Sequence, residues 1–388
     1  MHYTFPKIEH IQDVLPHIEG RSEFVVAERE GYTVINYVVA MSDTFDMYPA
    51  GYSGPLSEYD FTGAMRRECR GLIFDKDGKI MSRPFHKFFN VNERDETQSH
   101  VLDMSQPHFI LEKMDGSMIR PIIVDGYLRL ATKMGITHVA MQAEEWLAGQ
   151  DPSKKEWMRL SVEAGYTPLF EWVSPFNQIV LPYEEADLVY LGTRDTVTGE
   201  YLFQENPPFT VVPQYGSVDH SMNDYIERQR QAVDREGDII RFLDGHMLKI
   251  KNDWYVRIHK AIERIVFDRN IVLLILNQEV DDTLPKLPKV QADRVRDFER
   301  RFWDAVNKTE FRLTSLFSEA LDKYEGDRKR IATEFIPTFS NKVDGGFIFR
   351  MLDGNRPMDL ILSHIEKQCF TNTKWDLCAE WLGMETKK

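Results

Sequence analysis

The chain has almost no cysteine: three in 388 residues, at 69, 369 and 378, with no CxxC pair. So sparse and odd a set supports neither a disulfide framework nor a zinc site, and it fits a reducing compartment. Long apolar runs are also missing. The most apolar short run, residues 271–276, is far too brief to span a bilayer. Residues 1–20 alternate polar and apolar without the continuous core of a signal peptide. Positive charge is short as well, with 48 Lys and Arg against 62 Asp and Glu and a net charge of −14. That counts against a protein that coats nucleic acid non-specifically, because such binding works by neutralising phosphates. An enzyme of nucleic acid with this charge must gather its cations in one groove and keep its acids elsewhere. Repeats and low-complexity tracts are absent. A soluble cytoplasmic protein with no membrane partner is expected.

What is present changes texture part-way along. The length suits two or three domains. Before about residue 255, short apolar or alternating runs are punctuated by Asp-Gly pairs at 77–78, 125–126 and 244–245. Asp-Gly between apolar runs predicts hairpins, since a type I′ turn needs positive φ at both central residues. Thr198-Gly199 is a weaker fourth signal, and residues 139–148 read as a helix. Beyond that point the period becomes helical. Val295, Phe298, Phe302, Ala305 and Val306 share one face, as do Ile258, Ile262, Ile265 and Val266. Residues 311–321 and 358–370 also read as helices, with Pro285 and Pro288 interrupting the region. The expected class is α+β: an N-terminal domain of antiparallel sheets at 1–258, then an all-helical C-terminal domain at 259–388.

The chemistry centres on Glu112-Lys113-Met114-Asp115-Gly116-Ser117, between the apolar residues 109–111 and 119–124. This places Lys113 at a strand end close to a sheet core. Alone, K-x-D-G is short, and a hairpin-edge lysine beside an Asp-Gly turn would satisfy it. A lysine nucleophile must be neutral to attack, and neighbouring cations or a desolvated pocket lower its pKa. The same cations can hold a polyphosphate and stabilise a departing pyrophosphate. Such companions occur in short dense segments: Glu68-Cys69-Arg70-Gly71, Ser82-Arg83-Pro84-Phe85-His86-Lys87-Phe88-Phe89-Asn90, Phe170-Glu171-Trp172-Val173 and Lys249-Ile250-Lys251-Asn252-Asp253-Trp254-Tyr255.

Taken in order, these segments resemble the covalent nucleotidyltransferase superfamily of ATP-dependent DNA ligases, RNA ligases and messenger-RNA capping enzymes. Within it they resemble the family of the first RNA ligase of T-even bacteriophages, well over residues 20–260 and poorly beyond. The resemblance implies an adenylyltransferase domain that joins 5′-phosphate and 3′-hydroxyl RNA ends through a lysyl-AMP on Lys113. It also implies ATP as co-substrate, Mg²⁺ with Mn²⁺ as an alternative, and RNA or tRNA repair, in a phage-infected bacterial cell if phage-encoded. A monomer is expected.

The residue roles follow. Arg70 and Lys87 would contact phosphates or ribose, Arg by bidentate bonding and Lys as a point charge; surface salt-bridging is the alternative. Lys249 and Lys251 alternate on a strand and so share a face, lining a groove or simply facing solvent. Glu171, inside an apolar run, needs a partner if buried, and the resemblance assigns it to ribose or metal. Glu236 matches the family's acidic fourth motif and would hold Mg²⁺ together with phosphates; an ordinary loop pair with Arg235 is the alternative. Tyr37 aligns with a nucleotide-contacting tyrosine, or is a strand core residue. Lys133 and Tyr255 match positions that the family uses for activity. Asp282, in Asp281-Asp282, roughly matches a metal ligand, with a solvated acidic loop as the alternative. His86 and His259 read as structural. The basic clusters at 294–301 and 328–330 could meet RNA backbone, but both are interleaved with acids. A DNA ligase or capping enzyme would continue after the last lysines into a small β-barrel, where helical patterns stand here. A degenerate binding module would lack the nucleophile or its cations.

Overall fold

The computed structural model describes residues 4–46, 60–202, 206–218, 221–339 and 341–385. The chain divides into two compact units, Met1–Val256 and Arg257–Lys388.

The first unit opens with β1 (Phe24–Arg29), β2 (Tyr32–Tyr37), β3 (Arg70–Asp75) and β4 (Ile80–Ser82), paired in that order as an antiparallel sheet. Nine strands follow: β5 (Phe89–Asn90), β6 (His108–Lys113), β7 (Ser117–Val124), β8 (Tyr127–Ala131), β9 (Tyr166–Val173), β10 (Asp187–Asp195), β11 (Tyr201–Leu202), β12 (Gly237–Phe242) and β13 (Met247–Lys251). They form a five-stranded sheet ordered β11-β10-β9-β7-β8 and a four-stranded sheet ordered β5-β13-β12-β6. All pairings are antiparallel except β13 with β5. Helix His138–Ala148, capped by the Thr137 hydroxyl, and helix Pro152–Glu163 pack their apolar faces on the five-stranded sheet through Leu147, Met158 and Phe170.

The Asp-Gly hairpins form by two routes. At 125–126 both residues have positive φ, 49° and 80°, the expected type I′ turn. At 77–78 and 244–245 only the glycine does. There the glycine N–H bonds back to Asp75 and Phe242, so one extra residue enters the loop and the aspartate stays in an ordinary conformation.

The second unit is helical throughout its described residues. Its spine is one 36-residue helix, Lys289–Tyr324, which joins the two apolar stripes expected as separate segments. Pro288 stands as its N-cap. Val295, Phe298, Phe302 and Leu313 pack from it against Ile361, Ile365 and Trp375. Two expectations fail locally. Val266 leaves the stripe and is exposed, because the helix Asp253–Arg264 ends before it. Asp281-Asp282 lies on a helical turn, Val280–Thr283, rather than in a loop, because Thr283 ties both its N–H and its hydroxyl to the Glu279 carbonyl.

Candidate active site

Strand register assembles one wall of the site. Side chains alternate along a strand, and directly opposed residues share a face. Lys113 opposes Gly237, which opposes Lys251; Leu111 opposes Ile239, which opposes Lys249; Phe109 opposes Arg241, which opposes Met247. The sheet therefore presents three rows, the first holding Lys113 and Lys251 and the next, about 6.8 Å along the strands, holding Lys249. Gly237 is required in the first row. Its φ is 152°, and a Cβ there would sit 1.9 Å from the Ile250 carbonyl oxygen.

The facing wall comes from elsewhere. Tyr37 ends β2, Arg70 opens β3, and Phe85, Lys87 and Phe88 lie between β4 and β5. Lys133 sits in the turn after β8 and Glu171 on β9. With Lys113, Leu111, Leu191, Val212, Ile239, Arg241 and Lys249, all of these line one cleft of about 580 Å³. Its lining mixes apolar side chains with the cations Arg70, Lys87, Lys113, Lys133, Arg241 and Lys249 and the carboxylates Glu112 and Glu171.

The electrostatics is dense. Glu236, only 3% exposed, receives Lys113 Nζ at 2.7 Å and Lys251 Nζ at 3.0 Å. One carboxylate thus holds both lysines of the first row, and Arg235 pairs instead with Asp238. Burial pushes the Glu171 carboxyl up to about 7; the Lys113 ammonium opposes this and Glu236 adds to it. The Gly116 N–H donates to Glu171 Oε1 at 3.2 Å. Burial lowers Lys249 to about 7, and repulsion from Lys87 and Arg70 contributes. Burial raises the Tyr37 phenol, but Arg70, Lys87 and Lys133 outweigh it and leave the pKa below its usual value. Lys87 Nζ and Lys133 Nζ lie 5.5 and 5.7 Å from the Tyr37 ring centre. Arg70, Lys87, Lys133 and Lys249 form no ion pair with an acid among the described residues.

Asp115 is structural. It is 1% exposed, and its carboxylate accepts the N–H groups of Val180 and Leu181 at 2.8 and 2.7 Å and the Tyr255 hydroxyl at 2.6 Å. Tyr255 thereby anchors the segment after Lys113 to the helix Asp253–Arg264, and its ring also lies 5.1 Å from Lys251 Nζ.

The cleft therefore gathers Lys113, Tyr37, Arg70, Lys87, Lys133, Glu171 and Lys249, with Glu236 and Lys251 joined to Lys113 by ion pairs. Asp282 belongs to the second unit, where its side chain is exposed. No cluster of three His, Cys, Asp or Glu side chains is placed to hold a metal among the described residues. Sequence reasoning missed Arg241, whose signal was alternation from Gly237 along β12. Leu191 and Val212 arrive from β10 and the segment beside it, and no local pattern marks them.

Known proteins resemble this chain in sequence. Residues 68–255 match the model of a family described as RNA ligase. That stretch is just under half of the chain, and it holds every residue proposed for the cleft except Tyr37. A candidate RNA ligase of Thermovibrio ammonificans is 29% identical over 84% of this chain and 86% of its own length. RNA ligase 1 of Bacteriophage TS2126 is 32% identical over 35% of this chain and 36% of its own. Likeness to solved structures is weaker. A candidate ATP-dependent DNA ligase of Aquifex aeolicus, 12% identical, covers 97% of this chain and 88% of its own with a TM-score of 0.42, too low to bear on the assignment. The match to the family stops where the helical unit begins.

Proposed function

We propose that this protein is an RNA ligase that joins 5′-phosphate and 3′-hydroxyl RNA ends through a lysyl-AMP on Lys113. The observation that carries the reading is that Lys113 lines one cleft together with the cations Arg70, Lys87, Lys133 and Lys249. In the first step Lys113 Nζ attacks the α-phosphorus of ATP. The ammonium first gives one proton to solvent; a P–N bond then forms as the bond to pyrophosphate breaks, and the second proton leaves the nitrogen for solvent. Glu236 holds Lys113 in place before attack and holds Lys251 beside it. The cations take up the charge of the phosphates and of the leaving pyrophosphate. AMP then passes to a 5′-phosphate, and a 3′-hydroxyl displaces it to close the phosphodiester.

Glu236 and Glu171 are the carboxylates that would hold Mg²⁺, or Mn²⁺ in its place. One or two carboxylates with substrate phosphates and water suit Mg²⁺. When bound, the ion would neutralise phosphate charge as a Lewis acid. The helical second unit supports RNA over the DNA-ligase and capping branches, and repair of broken RNA such as tRNA is the finer part of this proposal.

Purified protein incubated with α-labelled ATP and Mg²⁺ tests the reading. Label should survive denaturation and be absent from Lys113→Ala. Label taken from GTP instead would move the protein to the capping branch. Folded, unadenylated protein that accepts no label would end the proposal.

A further inference from the structure

Arg120 has a place in the first unit that the reaction as described does not use. It lies on β7, none of its surface is exposed, and no carboxylate pairs with it among the described residues. Its Nε donates to Ser82 Oγ at 2.8 Å and its Nη1 to the Thr132 carbonyl at 3.0 Å, while Nη2 donates to the Gly71 carbonyl. Burial lowers its pKa to about 9; Tyr32 opposes the shift and Arg70 adds to it.

The acceptors explain why a cation is kept there. Gly71 and Ser82 belong to β3 and β4 of the first sheet, whereas Thr132 follows β8 of the five-stranded sheet. Two of the three adjoin cleft residues: Gly71 follows Arg70, and Thr132 precedes Lys133. The segments also touch backbone to backbone. Gly71 has φ +106°, and a Cβ on it would meet Lys133 Cα at 2.6 Å. A planar guanidinium can reach three acceptors in fixed directions at once, which a lysine ammonium on a flexible stem cannot.

We infer that Arg120 is a positioning residue, whose guanidinium staples β3 to the turn after β8 and so sets the separation of Arg70 and Lys133 around Tyr37. The grip on the nucleotide's phosphates depends on that separation. The inference rests on the adenylyl-transfer reading above, and its test is a double-mutant cycle on self-adenylation at varied ATP. Arg120→Lys, which keeps the charge and loses the fork, should lower kcat/KM about tenfold, chiefly through KM. In a Lys133→Ala background the same change should cost less than about twofold, because the residue it acts through is gone. Ser82→Ala removes a single acceptor and serves if Arg120→Lys fails to fold; a roughly threefold loss that also vanishes without Lys133 is expected. Additive losses in the cycle, or a wild-type KM in either single variant, would overturn the positioning role. Wild-type protein that takes no label would remove the adenylyl-transfer reading itself, a result distinct from a failed cycle.

Discussion

Lys249 shows how position sets chemistry at the scale of one residue. On the strand it is an ordinary lysine alternating with Lys251; in the cleft it is partly buried beside Lys87 and Arg70, and its pKa falls to about 7. Free protein at pH 8 therefore holds much of Lys249 neutral. A bound triphosphate favours the ammonium, so ATP binding should take up close to one proton near pH 8. Calorimetry in two buffers of different ionisation enthalpy reads this uptake, and Lys249→Met should lose it. Heats that do not depend on buffer would mean that Lys249 is already charged. The stability sign is separate. An unfolded lysine keeps its proton to about 10.5 and the folded one only to about 7. The unfolded state thus holds more protons between those values, and the cost that Lys249 imposes on folding is relieved as pH rises through that window. Asp282 gives the contrasting case. Its carboxylate is exposed on a helical turn of the second unit. Asp282→Ala should leave stability within ~0.5 kcal/mol and label uptake unchanged, whereas a tenfold fall in labelling would restore it as a ligand.

At the scale of elements, some motif residues hold one another rather than the nucleotide. Glu68, at the end of helix Phe61–Glu68, is buried between two arginines. Arg83 Nε reaches it at 3.0 Å, and Arg194 of β10 grips it with two bonds of 2.7 and 2.8 Å. This triad ties the helix that leads into Arg70, the segment that leads into Lys87, and the five-stranded sheet. Despite desolvation, the two guanidinium groups hold the Glu68 carboxyl well below the usual carboxylate range. Its contribution is thus present above the unfolded carboxyl's pKa and is lost as pH falls towards the folded value. Glu68→Gln leaves two buried cations short of a partner and should cost about 3–5 kcal/mol in urea unfolding. A loss under about 1 kcal/mol would show that the arginines find other acceptors. His86 is similarly structural: buried, with Nδ1 2.9 Å from the Tyr201 hydroxyl. Tyr255→Phe should cost about 1–3 kcal/mol, because Asp115 Oδ1 loses its buried donor. Labelling should slow with it, since Asp115 sits two residues from Lys113.

On the scale of the whole molecule, every proposed cleft residue falls in Met1–Val256, and the helices form a core of their own. A chain truncated after Arg264 should still accept label from ATP, within roughly a factor of three of the full chain, as expected of a unit with its own core. A truncated chain that folds but takes no label would make the helical unit part of the chemistry. The basic clusters of that unit, interleaved with acids in sequence, pair with acids of the same unit in the structure. Arg300 and Arg301 pair with Asp297, Arg328 with Asp353, and Arg330 with Glu334. Exposed pairs of this kind are weak, and they describe a solvated surface.

The sequence by itself determined what periodicity and turn chemistry can carry: sheets before helices, Lys113 at a strand end, hairpins at the Asp-Gly pairs, and lysines 249 and 251 on one face. These are short-range properties, decided within a few residues by φ preferences and by the alternation of side chains. Ordered motifs also pointed to the family, because several short segments in sequence are far more specific than one. Only the tertiary structure decided which charges meet. Glu236 lies 123 positions from Lys113 yet holds it, and Glu68 bonds to Arg194 across 126. Arg120 looked like any strand residue until two sheets closed on it. Such pairings depend on burial and on backbone packing between sheets, and neither is encoded in local pattern.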